Sequence, residues 1–140
     1  MRENRAIYGG EISAHHYFRD FAYCDSGIIP WLLVWEYLSV SNRSLEDLII
    51  ERRSSFPSSG ELNFTVSNAK VCIEKVQKHF ASKAKLIDQL DGLSMSFGSW
   101  RFNLRKSNTE PFVRLNVESK GDNLLLKECI EELKNLIKQA

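Results

Sequence analysis

Two arginines and a lysine stand around a short polar stretch whose chemistry suits an anion. The stretch is Arg105-Lys106-Ser107-Asn108-Thr109-Glu110-Pro111, and Arg114 follows three residues later. It concentrates hydroxyls, an amide and backbone N–H groups. An anion with several acceptor oxygens is held by fixed guanidinium forks and short polar donors. Asn, Ser and Pro are also ordinary turn residues, so composition alone leaves a plain solvated turn open.

The flanking residues say how this stretch is presented. Trp100, Phe102 and Leu104 alternate with polar residues, as do Val113, Leu115 and Val117. Such alternation marks two half-buried strands, which predicts a hairpin with the polar stretch at its tip. Matching the apolar faces sets Leu104 against Val113, Phe102 against Leu115 and Trp100 against Val117. Asn103 then lies opposite Arg114, Arg101 opposite Asn116, and the mouth falls at Arg105 and Phe112. Arg114 is placed at the site by this register.

A second candidate lies near the N-terminus. Ala6, Ile7 and Tyr8 read as the end of a strand that Gly9 and Gly10 break, leaving room for another molecule to approach the backbone. The loop Glu11-Ile12-Ser13-Ala14-His15-His16 follows. Adjacent histidines in extended chain point to opposite sides, a poor geometry for one metal. Ser13 beside His15 lacks a specified orienting carboxylate, which weakens a nucleophile reading. Trp100-Arg101-Phe102 has the aromatic and basic types of a single-strand nucleic-acid surface, but the alternation sends the aromatics and the arginine to opposite faces.

Further elements surround these segments. A helix is expected from Asp25 or Ser26, either able to cap it, with Pro30 in its first turn. Residues 28–38 leave it almost no polar face, so it needs partners on all sides. A second helix starts at Ser44, where Ser44-x-x-Asp47 resembles a capping box. Residues 54–60 have linker composition and mark a domain boundary, with Phe56–Gly60 expected as a hinge. Leu62, Phe64 and Val66 then alternate as a strand, Ser67 can cap a helix carrying Cys72, Val76 and Phe80, and Leu93, Met95 and Phe97 form another strand. Asp122 can cap a last amphipathic helix. The expected class is α+β: residues 56–140 form an antiparallel sheet with two packed helices. Residues 1–55 are an incomplete α/β piece, too small to cover their apolar helix, so upstream sequence is expected.

Composition narrows the function class. Among 140 residues, 19 Lys and Arg face 18 Asp and Glu, a balance that argues against a dedicated nucleic-acid binder. Cys24, Cys72 and Cys129 are widely spaced, which favours reduced thiols over disulfides or zinc. The N-terminus is polar, and the most apolar stretch is far short of the ~20 residues that span a bilayer. The expectation is a cytoplasmic protein with neither membrane nor nucleic acid as partner.

The Arg105–Pro111 string is similar to the phosphate-binding loop of the α-D-phosphohexomutases. Gly10-Glu11-Ile12-Ser13-Ala14-His15 resembles the sugar-binding loop of the same family, and the two occur in the family's order. Asp25-Ser26-Gly27 and Phe56-Pro57-x-x-Gly60-Glu61 also fit, so the resemblance covers nearly the whole chain and is closest to the bacterial phosphomannomutase type. It implies a phosphorylated hexose as ligand, interconverted between mannose 6-phosphate and mannose 1-phosphate through a phosphoserine and a bisphosphate that turns round. It implies that Arg105, Ser107, Asn108 and Thr109 clamp phosphate, with Arg114 beside them, while Glu11 and Ser13 hold sugar hydroxyls and His15 touches the ligand. The family's serine and its Mg2+ loop would lie in upstream domains of the same enzyme. No catalytic residue and no metal site is expected here, and the chain alone is expected to be inactive. The rival reading is a non-catalytic regulatory module for a phosphorylated ligand or single-stranded nucleic acid. One departure concerns Ala14, where the family often has Gly. Alanine disfavours positive φ, so either the loop backbone differs or the position needs no left-handed conformation.

Overall fold

Strand alternation decides the architecture of the C-terminal half. The computed structural model describes residues 1–11, 14–107 and 110–139. The chain forms two compact units, Met1–Leu48 and Ile49–Ala140.

The second unit is a five-stranded antiparallel sheet in the order β4-β8-β7-β6-β5. Its strands are β4 (Leu62–Thr65), β5 (Leu86–Asp88), β6 (Leu93–Ser96), β7 (Trp100–Lys106) and β8 (Phe112–Ser119). Helices α3 (Ala69–Phe80) and α4 (Asn123–Lys138) complete it. Met95, Phe102, Leu104, Val113, Leu115 and Val117 are buried with Cys72, Val76 and Phe80 of α3 and Leu126, Leu133 and Ile137 of α4. This one-sided core is what the period-2 and period-3.6 patterns demand. Asp122 caps α4 by accepting from Leu125 N–H at 2.8 Å. For α3 the cap is Asn68, one residue past the expected Ser67, and it accepts from Lys70 and Val71 N–H.

Strand β5 leaves no sign in the sequence: it is three residues long and exposed throughout, so no buried face marks it. The β7–β8 register differs by two residues from the one expected. Leu104 pairs with Leu115, Phe102 with Val117 and Arg105 with Arg114. A two-residue slip preserves every side chain's face, so apolar matching alone could not exclude it. The observed register gains the cross-strand pair Arg101–Glu118, 2.8 Å between Nη2 and Oε2. The aromatics stay on the core side, where Trp100 stacks on Phe97 with centroids 4.1 Å apart.

The supposed linker is more ordered than its composition suggests. Ser54 and Ser55 finish helix α2 (Leu45–Ser55). Beyond them, Ser119 N–H donates to Pro57 C=O, and Ser59 N–H donates to Val117 C=O. Residues 57–59 thus run hydrogen-bonded along β8.

The first unit has a small antiparallel sheet of β1 (Tyr8–Gly10), β2 (His16–Phe18) and β3 (Cys24–Asp25), followed by α1 (Ile28–Ser41). Gly9 and Gly10 lie within β1, pairing with Tyr17 and His16, where a break had been expected. The Ser26 hydroxyl accepts from Ile29 N–H at 3.3 Å. Ser44 and Asp47 exchange hydrogen bonds as a capping box at the start of α2. No residue of α1 is buried, and Trp35 is 62% exposed. Among the described residues, no helix is long and apolar enough to cross a membrane.

Candidate functional site

Each unit carries one of the two candidate loops, built by a hairpin. In the first unit β1 and β2 approach until Glu11 N–H donates to His15 C=O at 2.9 Å, while Ala14 N–H donates back to Glu11 C=O at 3.0 Å. Ala14 adopts φ 65°, so this position does take the left-handed conformation, at a cost of roughly 1–2 kcal/mol for a residue with a Cβ. Ile12 and Ser13 lie outside the described residues, so the expectation for Ser13 has no structural counterpart.

The hairpin brings partners to Glu11 and His15 that the sequence did not indicate. Tyr17 Oη donates to Glu11 Oε1 at 2.7 Å, fixing that carboxylate and pushing the phenol's pKa up through the shared hydrogen bond. His15 Nδ1 lies 2.8 Å from Asp25 Oδ2, and Asp25 Oδ1 accepts from His16 N–H at 2.9 Å. Asp25, read above as a helix cap, therefore supplies the orienting carboxylate that the sequence left unspecified. His16 turns to a different partner, with Nδ1 2.7 Å from Tyr8 Oη. These pairings depend on β2 and β3, which are too short to leave a periodic signal.

The His15–Asp25 pair shifts both groups. The hydrogen bond to Asp25 raises His15 above 6.5, and the bond to His15, with His16 N–H second, lowers Asp25 below 3.8. The histidine's contribution to folding is therefore complete below pH 6.5 and lost as pH rises through its raised value. The aspartate's is present above pH 3.8 and lost as pH falls through its lowered value. The expected outcome of an NMR titration is a His15 midpoint above 6.5 that returns towards 6.5 in Asp25→Asn. An unchanged midpoint would mean that the pair does not form in solution.

In the second unit, β7 and β8 place Arg105 and Arg114 directly opposite each other, on the sheet face away from the helices. Like charges facing across a ladder repel. The carboxylate of Glu61, just before β4, lies between them: Oε2 is 3.5 Å from Arg105 Nη2 and Oε1 is 3.6 Å from Arg114 Nη1. Asp91 Oδ2 is 3.7 Å from Arg105 Nη1. Phe112 lies under the Arg114 guanidinium at 5.5 Å. Ser107 is 3% exposed, and its N–H donates to Phe112 C=O, closing the hairpin. Asn108 and Thr109 lie outside the described residues.

The donors here are under-used. Arg105 Nε, Ser107 Oγ, Arg114 Nε and Asn116 Nδ2 are buried without a hydrogen-bond partner among the described residues. Strand alternation puts Arg105, Arg114 and Asn116 on one face, Asn116 one same-face pair further along at Asn103, and Ser107 follows just past the end of β7. A buried donor left unpaired costs about 1–3 kcal/mol, so their clustering marks a place that an anion with several acceptors would satisfy. Asn116, two residues from Arg114 on β8, lies opposite Arg101 in the register expected from the sequence, whereas the observed pairing with Asn103 brings it one same-face pair from Arg105.

Comparison with known proteins gives a consistent picture. Residues 1–56 match the family described as phosphoglucomutase/phosphomannomutase, alpha/beta/alpha domain III, and residues 61–136 match phosphoglucomutase/phosphomannomutase, C-terminal domain. A phosphomannomutase of Salmonella typhimurium is 56% identical over 139 residues, covering 99% of this chain and 30% of the relative. A phosphomannomutase of Escherichia coli K12 is 52% identical over 139 residues, with the same coverage. A protein named for phosphohexose mutases in Xanthomonas campestris is 54% identical over 138 residues, covering 99% of this chain and 31% of its own length. The chain thus spans about 30% of the length of these relatives. A crystal structure of a phosphoglucomutase/phosphomannomutase family protein from Burkholderia thailandensis shares the fold. Its TM-score is 0.71 at 24% identity, over 99% of this chain and 29% of the other.

Proposed function

The chain belongs to the phosphoglucomutase/phosphomannomutase family, and from that premise we propose that it supplies two grips on a phosphorylated hexose in a phosphomannomutase-type reaction. The observation that carries this reading is the cluster of unpaired donors around Arg105 and Arg114. In the proposed division of labour, residues 56–140 hold phosphate and residues 1–55 hold the sugar. The family matches, which end at residue 56 and resume at 61, support that boundary.

Arg105, Ser107 and Arg114, with Asn108 and Thr109, hold whichever phosphate is not reacting. The arginines supply charge and paired N–H donors, and the tip supplies short donors. Glu11 accepts hydrogen bonds from ring hydroxyls, oriented by Tyr17, with Ser13 as a further contact. His15 presents its Nε2 while Asp25 fixes its Nδ1. A clamp for the non-reacting phosphate lets the same enzyme bind the sugar in both orientations, as turning a bisphosphate requires. Gripping both ends of the ligand lowers the entropic cost of aligning the reacting end.

Phosphoryl transfer itself needs a nucleophile and a metal. Among the described residues, no three His, Cys, Asp or Glu are gathered to hold a metal ion. The magnesium ion and the phosphoserine are assigned to the complete enzyme. A cytoplasmic setting, where the three unpaired thiols stay reduced, belongs to the same proposal.

The test is titration of the chain with mannose 1-phosphate, followed by an assay of the same sample for conversion with magnesium and a bisphosphate activator. Saturable binding without turnover is the expected outcome. Turnover by the purified chain would refute the division of labour, and absence of binding would refute the grip.

A further inference from the structure

Resting on the phosphate reading of the Arg105–Arg114 face, we propose that Glu61 is the clamp's own counter-anion. In this role it sets the affinity of the site for a phosphate group, which must share or displace it.

The case begins with charge. Arg105 and Arg114 are cross-strand neighbours, and two cations so placed need an anion nearby when no ligand is present. Glu61 meets that need from just before β4, whose pairing sets Asn63 opposite Arg114. Each of its carboxylate oxygens faces a different arginine, at 3.5 and 3.6 Å. With Asp91 against Arg105 at 3.7 Å, two negative charges balance two positive ones. A phosphate dianion entering this arrangement would leave it net negative, so a carboxylate must withdraw or share its arginine.

The lengths of the contacts say which kind of pair this is. A committed carboxylate–guanidinium pair closes to about 2.7–2.9 Å, often with two parallel bonds. Arg101 and Glu118, on the same sheet face, meet that standard with contacts of 2.8 and 2.9 Å. The Glu61 contacts are longer by more than half an ångström, and both Arg105 Nε and Arg114 Nε stay unpaired. Glu61 therefore neutralises the arginines without filling their hydrogen-bonding geometry. It is also 36% exposed at its side chain, which leaves it a path into water when a better acceptor arrives. A clamp that must release a phosphate while the intermediate turns benefits from an internal competitor, because such a competitor limits how tightly the phosphate is held.

The experiment is isothermal titration of the full chain with inorganic phosphate at low ionic strength, in parallel with thermal melts. Glu61→Gln keeps the shape and removes the charge. The expected result is a phosphate Kd lower by about 1.5- to 5-fold, the range of one modest charge pair. A lower Tm without phosphate and a larger phosphate-induced rise in Tm should accompany it. If Glu61→Gln folds poorly, Glu61→Asp draws the carboxylate back by one methylene and should give a smaller gain in the same direction. Unchanged or weaker phosphate binding in these variants would overturn the proposal. Arg105→Ala separates the two levels of the argument. If it abolishes phosphate binding while Glu61→Gln does not tighten it, only the role of Glu61 falls. If Arg105→Ala leaves phosphate binding intact, the phosphate reading falls and takes this proposal with it.

Discussion

Arg105→Ala in the complete enzyme is expected to lower kcat/KM about 10- to 100-fold for every phosphosugar tested, because a charge-assisted hydrogen bond is worth roughly 1.5–3 kcal/mol. The loss should be uniform, since all these substrates share the phosphate and differ only in the ring. Arg105 sits on a strand, half-buried and opposite Arg114, so the sheet fixes where its guanidinium meets the phosphate. Glu11→Ala should behave differently. Its carboxylate, held by Tyr17, is assigned to ring hydroxyls, so the penalty should depend on which hydroxyls the sugar presents. Deoxy analogues lacking the contacted groups should lose less. Measuring both variants on mannose 1-phosphate, glucose 1-phosphate and a deoxy analogue checks the assignment. A uniform loss for Glu11→Ala with a sugar-dependent loss for Arg105→Ala would show that the two grips have been exchanged.

Gly92→Ala is expected to damage stability and phosphate binding together. Gly92 has φ 72°, and a Cβ there would stand 2.6 Å from Arg105 Cβ, 2.8 Å from the Leu104 carbonyl oxygen and 2.9 Å from Arg105 Cα. A left-handed alanine costs about 1–2 kcal/mol. Forcing a Cβ into occupied space adds roughly 1–3 kcal/mol. The total, about 2–5 kcal/mol, is large beside the 5–15 kcal/mol that ordinarily holds a domain. Two of the three close contacts belong to Arg105 itself, so the relief movement falls on the strand that carries the clamp. Urea denaturation should show an earlier midpoint, and titration with phosphate should show a weaker Kd. Lost stability with an unchanged Kd would mean that the turn yields and β7 does not.

The elements that the sequence revealed are those with a face to bury. Strands β6, β7 and β8 and helices α3 and α4 contribute to one core, and burial imposes periodicity that a single sequence records. Asp122 was legible as a cap because it stands immediately before an apolar stripe. Strands β2, β3 and β5 were not legible, since two or three residues cannot display alternation and β5 is exposed. The hairpin register was legible only modulo two. The term that chooses among same-face registers is local, here the Arg101–Glu118 pair and the closure of Ser107 on Phe112. The candidate site followed the same rule. Arg105 and Ser107 were visible as a contiguous string, and Glu11 and His15 as another. Asp25 and Tyr17 entered only when β2 and β3 folded back, Glu61 only when β4 paired with β8, and Asn116 came near Arg105 only in the observed register.

The cysteines carry a consequence for following this chain in solution. Cys24 is exposed in the first unit, whereas Cys72 and Cys129 are buried in the second. Burial pushes the Cys129 thiol up to about 11 and raises Cys72 as well, so neither offers much thiolate at neutral pH. An alkylating reagent therefore reaches them only while α3 and α4 are open, and their modification rate reports the population of that open state. Cys24 reacts without any opening and serves as the internal reference for reagent strength. Mass spectrometry of the alkylated peptides would thus read the opening of the second unit from native side chains, with no added label.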